Sequence, residues 1–167
     1  MNDRYSMTTE EQDIYFMKQA LIQAQEAASI GEVPVGAIIV KDGNIVAEGF
    51  NTRHHSKDPM GHAELDVIRK AAKRIFDWRL EGHTIYVTLE PCPMCAGAIY
   101  SSRIERCVFG AYDPKAGFVG SLFNINSIHQ LNHHFEVTGG VLENECGAIL
   151  RDFFSNLRSV KRSKKGY

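Results

Sequence analysis

Ile14, Met17, Leu21, Ala24 and Ala28 recur at spacings of three and four, which predicts a first helix with one buried face. Thr8, with Glu11 three residues on, has the form of a capping box at its start, and Gly31 is a plausible stop. The rhythm then changes. Residues 34–40 are apolar and β-prone, Asp42-Gly43 follows, and residues 45–51 resume, which predicts a hairpin with a tight turn. Residues 52–61 are polar, contain Pro59, and read as a loop. Leu65, Ile68, Ala72 and Ile75 share one face of a predicted helix over 62–75. Residues 84–89 read as a strand, and 93–101 as a short helix with proline in its first turn. Residues 107–111 read as a strand, 112–120 as a loop, 122–125 as a short helix and 135–138 as a last strand. Residues 143–157 form a final amphipathic helix, after which the tail, about 158–167, is expected to fray.

Helices alternating with strands after an opening hairpin predict an α/β fold: a three-layer α/β/α sandwich around a mixed sheet of about five strands. No internal repeat or linker interrupts the pattern, so residues 1–167 are expected to form a single domain, long enough to bury a core without disulfides.

Composition narrows the classes. With 44% hydrophobic and 23% charged residues, the chain is globular rather than disordered. It holds no run of 18 apolar residues, and its first ten residues lack the apolar stretch of a signal peptide, so the expectation is a cytoplasmic protein with no membrane partner. The net charge of −1 argues against a generic nucleic-acid binder. The charge is uneven, however. Residues 151–167 hold Arg151, Arg158, Lys161, Arg162, Lys164 and Lys165 against Asp152, or 6 − 1 = +5, which leaves −6 for the rest. That tail reads either as a phosphate-binding segment or as a solvated end.

Four cysteines, Cys92, Cys95, Cys107 and Cys146, are not expected to pair in a reducing compartment. The close pair Cys92 and Cys95 reads as metal-binding or redox-active. It lies in Pro91-Cys92-Pro93-Met94-Cys95, which opens a predicted helix, and His62-Ala63-Glu64 opens another. Zinc favours thiolate and imidazole, and a catalytic zinc site takes three protein ligands and leaves one position to water. His62, Cys92 and Cys95 supply three. Free amide N–H groups and the partial positive charge at a helix start stabilise thiolates. Glu64 is placed to move protons to and from the acidified water without binding the metal. Cys107 and Cys146 sit in apolar stretches and read as small buried hydrophobes. His54, His55 and His129 read as surface residues, and His83 as part of a turn. Trp78 is expected to pack a helix end under the sheet. Phe153 and Phe154 either line the substrate loop or bury the last helix.

A His-x-Glu with a Pro-Cys-x-x-Cys describes the zinc nucleobase deaminases, and the chain resembles the cytidine-deaminase-like superfamily. Further stretches narrow the likeness to the bacterial tRNA-specific adenosine deaminases: Glu32-Val33-Pro34-Val35-Gly36-Ala37, Thr88-Leu89-Glu90 before the cysteine motif and Ala96-Gly97-Ala98 after it, Val108-Phe109-Gly110-Ala111, residues 113–117, and Asn132-His133. The resemblance spans roughly residues 14–157. It implies one zinc ion per subunit on His62, Cys92 and Cys95, with Glu64 as the catalytic proton shuttle. It implies a homodimer that converts adenosine to inosine at the wobble position of a tRNA anticodon stem-loop, of an arginine tRNA. It also implies that Asn51, Asn132 and His133 help hold the flipped nucleotide, and that Asp113 and Lys115 lie in a loop facing the nucleic acid. A carboxylate at Asp113 would accept from a ribose 2′-OH. Three positions depart from the family's usual residues: Pro93 for Val, His134 for Arg and Gly61 for Ala. Proline at position 93 also occurs in guanine deaminases, so the alternative is a deaminase of a free base or nucleoside such as guanine or cytosine.

Overall fold

The computed structural model describes residues 6–166. In chain order the elements are α1 (Thr9–Ser29), β1 (Gly36–Lys41), β2 (Asn44–Phe50), α2 (Arg53–Ser56), α3 (Ala63–Ile75), β3 (Thr84–Leu89), α4 (Pro93–Ser101), β4 (Arg106–Ala111), β5 (Glu136–Thr138) and α5 (Glu143–Lys164). The five strands form one mixed sheet in the order β2-β1-β3-β4-β5. β1 runs antiparallel to β2 and β3, whereas β3–β4 and β4–β5 are parallel. The expected sandwich is therefore present.

Side chains alternate across a strand, and here the alternation sorts the core into two layers. Ala37 and Ile39 of β1, Ile85 and Val87 of β3, and Cys107 and Phe109 of β4 face Val67 and Ala71 of α3 and Ala96 and Ile99 of α4. Ile38, Val40, Tyr86 and Val108 face Phe16, Met17 and Ala20 of α1 and Cys146 of α5. Cys107 and Cys146 are both fully buried, as small hydrophobes would be. α1 lies hard against the start of β1. A methyl group on Gly36 would overlap the Ala20 carbonyl and the Ala24 amide, so only glycine permits this approach. The Thr8 hydroxyl accepts from the Glu11 amide at 3.2 Å and caps α1 as expected.

One polar cluster sits in the α1/α5 layer. Arg106 reaches both carboxylate oxygens of Asp13, at 2.8 and 2.6 Å, and Tyr86 donates to Asp13 Oδ1 at 2.8 Å. Burial and the Asp13 charge push the Tyr86 hydroxyl well above its usual range, so the tyrosine stays a neutral donor.

Four details differ from the sequence reading. The polar stretch 52–61 contains the short helix α2. The short helix expected at 122–125 is instead a single 3₁₀ turn slightly later, over Ile125–Ser127. α5 does not end at residue 157 but continues to Lys164. It contains no proline, and lysine and arginine are good helix formers. Trp78 is exposed rather than packed under the sheet. Phe76 ends α3 in a left-handed conformation, the chain turns outward, and Leu80 takes the buried place instead. The Trp78 ring stacks under the Arg79 and Arg103 guanidinium groups, at 4.5 and 5.7 Å.

Candidate active site

The parallel strands β3 and β4 end on one edge of the sheet, where the following segments diverge. In open α/β sheets such a carboxyl edge is where a crevice forms. A cavity of about 200 Å³ opens there, lined by Asn51, His62, Glu64, Leu89, Glu90 and Cys92, among others. That is smaller than the roughly 300–1,000 Å³ of sites for drug-sized ligands, so it suits a group the size of one base.

Two helix starts supply its polar wall. His62 is the N-cap of α3 and Cys92 the N-cap of α4, with Pro93 in the first helical position. Cys95 follows within the first turn of α4. His62 Nδ1 lies 3.7 Å from Cys92 Sγ and 3.4 Å from Cys95 Sγ. The three ligand atoms all lie within 4.8 Å of one another. Zn–N and Zn–S bonds meeting at a tetrahedral angle would separate nitrogen from sulfur by about 3.5 Å, so the spacing fits that ion. The electrostatics fit a cation too. Cys92 is held down to about 4, chiefly by its hydrogen bond with Cys95 and further by His62, against burial. The same bond to Cys92, together with burial, pushes Cys95 far up. Hydrogen bonding to Cys92 raises His62. The three groups compete for protons, and a divalent cation would satisfy all of them at once.

Glu64 stands two residues beyond His62, almost wholly buried, and lines the cavity. Burial raises its carboxyl, while its own backbone amide, Cys95 and His62 oppose the shift in part. A buried carboxyl poised above its ordinary range suits proton transfer near neutral pH.

The remaining expected residues divide. Asn51 lines the cavity. Its side-chain amide donates to the Val33 carbonyl at 3.3 Å and to Glu32 at 3.5 Å, and its Oδ1 accepts from the Arg53 amide at 3.4 Å. Asp113 also lines it, and its Oδ1 accepts from the amides of Lys115 and Ala116 at 3.1 and 3.2 Å. Lys115 lies outside the cavity, on a neighbouring groove shared with α5. Asn132 and His133 do not line the cavity within this chain. Asn132 accepts from the Tyr100 hydroxyl at 2.9 Å and from Arg103 at 3.3 Å, and the His133 ring is 2.8 Å from the Ile104 carbonyl. His55, expected at the surface, is exposed there but its ring meets Glu32 at 3.0 Å.

Two buried carboxylates of this region were not singled out from the sequence. Glu32 is fully buried and accepts from the His55 amide at 2.6 Å, fixing the segment that carries Asn51. Burial alone would raise its carboxyl, but bonds from the His55 amide and ring and the His54 amide outweigh it and leave it lowered. Glu90 accepts from the amides of Asp113 and Ser121 at 3.2 and 3.0 Å and from the Ser121 hydroxyl. A methyl group on Gly117 would overlap the Glu90 carboxyl group, so loop and carboxylate are fitted to each other. The signal available was an acidic residue directly after the apolar run of β3, at the edge where ligands bind.

A family model described as MafB19-like deaminase matches residues 10–158. The tRNA-specific adenosine deaminase of Bacillus subtilis (strain 168) is 49% identical over 154 residues, covering 92% of this chain and 96% of the relative. A solved structure from work on A-to-I editing by tRNA:A34 deaminases at the wobble position of transfer RNA is similar with a TM-score of 0.79 and 43% identity. It covers 81% of this chain and 99% of that one. The guanine deaminase of Bacillus subtilis is similar with a TM-score of 0.57 and 42% identity, over 64% of this chain and 66% of that one.

Proposed function

The chain belongs to the MafB19-like deaminases and, among them, to the tRNA-specific adenosine deaminases, and from that premise and the site's geometry we propose how it works and with what. The reaction is hydrolytic deamination of adenosine to inosine at the wobble position of a tRNA. The observation that carries the reading is the convergence of His62, Cys92 and Cys95 beside the buried Glu64 in a base-sized cavity. The alternative, a deaminase of free guanine or cytosine, is supported by a likeness that covers less of both chains.

His62, Cys92 and Cys95 hold one zinc ion per subunit. When bound, zinc supplies a water acidified to near neutrality. Glu64 does the proton work. Its carboxylate takes a proton from the attacking water as the oxygen joins C6 of adenine, and passes it to N1. A second transfer, of the proton left on the C6 hydroxyl, to the exocyclic amine lets the C6–N bond break, so that ammonia leaves and the C6 carbonyl forms. The target nucleotide must leave its stack to reach the cavity, which costs least in a single-stranded anticodon loop. The Asn51 amide, tied at both ends, forms a rigid wall for the base. Asp113 has one oxygen committed to its own loop, which leaves the other for a ribose 2′-OH and so for RNA over DNA.

We further read residues 1–167 as one catalytic domain acting in the cytoplasm as a homodimer. Asn132 and His133, which lie outside this chain's own cavity, are left to contact RNA elsewhere. None of the described helices is long and apolar enough to cross a membrane. The test is a substrate panel with the zinc-loaded protein: an arginine anticodon stem-loop with wobble adenosine, free adenosine, guanine and cytosine. Remote contacts to the RNA should raise kcat/KM for the stem-loop at least about 100-fold over free adenosine. Preference for a free base would overturn the reading, and a protein without bound zinc would overturn the metal assignment.

A further inference from the structure

The basic residues of α5 and of its C-cap, Lys165, are not scattered. Arg151, Arg158, Arg162 and Lys165 follow one another at intervals of seven, four and three. At about 100° per residue these positions fall within some 60° of one another on one helix face. All four are exposed, and among the described residues no ion pair involves them. From Arg151 to Lys165 the stripe is 14 residues long, or about 21 Å at 1.5 Å per residue.

The stripe joins the catalytic cavity. Lys115, from the same loop as Asp113, lines one groove with Arg151 and Arg158; Phe154 also faces it, and Asp152 is the carboxylate there. Asp113 and Ala116 of that loop line the cavity itself. Positive charge therefore starts at the rim of the site and leads away from it. From Phe154 onward every described residue of α5 is exposed, so no packing balances the repulsion between like charges four apart, such as Arg158 and Arg162. A polyanion laid along the stripe would.

We propose that Arg151, Arg158, Arg162 and Lys165, continued by Lys115, form a phosphate track that grips the backbone of the RNA stem leading away from the edited loop. This rests on the RNA-deaminase reading above and adds where the substrate lies outside the cavity. The exposed Leu157 and Val160 lie on the side of α5 away from the stripe, a pattern that an anionic membrane surface would also accept. Continuity with Lys115 and the cavity favours RNA, which enters that cavity.

The experiment compares two variants of equal charge loss, R158Q/R162Q on the stripe and K161Q/K164Q on its flank, about 60° and 120° round the helix from Arg158, each checked for zinc content and helix signal. Binding of an anticodon stem-loop is measured against salt, beside an oligonucleotide of loop length with no stem. Each lost duplex phosphate contact lowers the slope of log K against log salt by about 0.9. R158Q/R162Q should therefore flatten the slope by about 2. It should also raise KM for the stem-loop several-fold and leave binding of the stemless oligonucleotide close to wild type. K161Q/K164Q should change the slope by less than half as much, and R158K/R162K should restore it. Equal effects from both pairs, or an equal effect on the stemless oligonucleotide, would overturn the track. So would sedimentation of the wild type with phosphatidylserine vesicles combined with an unchanged RNA slope. A wild type that forms no inosine sinks the enzymatic reading instead, and its binding slopes are read separately.

Discussion

Two acidic side chains, buried on opposite faces of one sheet, show two uses of the same chemical group. Asp13, in the α1/α5 layer, is matched on each oxygen: Arg106 takes both and Tyr86 adds a further bond. Glu64, in the α3/α4 layer, is equally hidden but makes no ion pair among the described residues, and burial raises its carboxyl. A buried charge that is fully bonded resists loss because its partner would be left stranded. A buried carboxyl without a cation costs stability and is kept where chemistry uses it. The first is expected to hold the fold, and the second to run the reaction.

Each part of that contrast can be broken separately. The largest effect comes from the metal. Dialysis against a chelator should abolish inosine formation and added zinc restore it, measured as nucleoside composition before and after; activity that survives with no metal would undo the ligand assignment. Next, Glu64→Gln should lower kcat by about 10²–10⁴-fold with zinc retained and the melting temperature not below wild type. A loss of melting temperature without loss of kcat would put Glu64 with Asp13. Asp13→Ala should do the reverse. Leaving Arg106 stranded costs about 3–5 kcal/mol, read by urea titration, while kcat at a temperature where the variant is folded stays near wild type. The smallest effect belongs to Glu32. Its carboxyl is lowered in the folded protein, so its contribution is present above the unfolded value, about 4.3, and is lost as pH falls through the folded one. Glu32→Gln should therefore flatten the acid limb of stability against pH, and an unchanged limb would show that its bonds to His55 contribute nothing.

The periodicity of the chain was enough for the sandwich because the central strands β1, β3 and β4 alternate between two buried layers, and α1 and α3 each bury one apolar face. The cluster of His62, Cys92 and Cys95, which could hold a metal ion, was legible for a different reason. All its members sit in two short motifs at helix starts, where local sequence sets the geometry. Glu32 and Glu90 were not legible, since each acts through backbone amides of loops more than twenty residues away, and amides leave no mark in a sequence. Trp78 misled because an aromatic residue after a helix reads as core, whereas the left-handed turn at Phe76 carries it outward. The end of α5 misled in the opposite sense. A basic tail reads as fraying, yet nothing in its residues breaks a helix.

The most direct test treats full-length arginine tRNA, transcribed with adenosine at the wobble position, with zinc-loaded wild type and with zinc-loaded Glu64→Gln, and identifies the nucleoside at that position by mass spectrometry. Inosine there with the wild type, and adenosine retained with the variant, is the predicted result. Adenosine retained with the zinc-loaded wild type, or equal inosine from both proteins, would contradict the account.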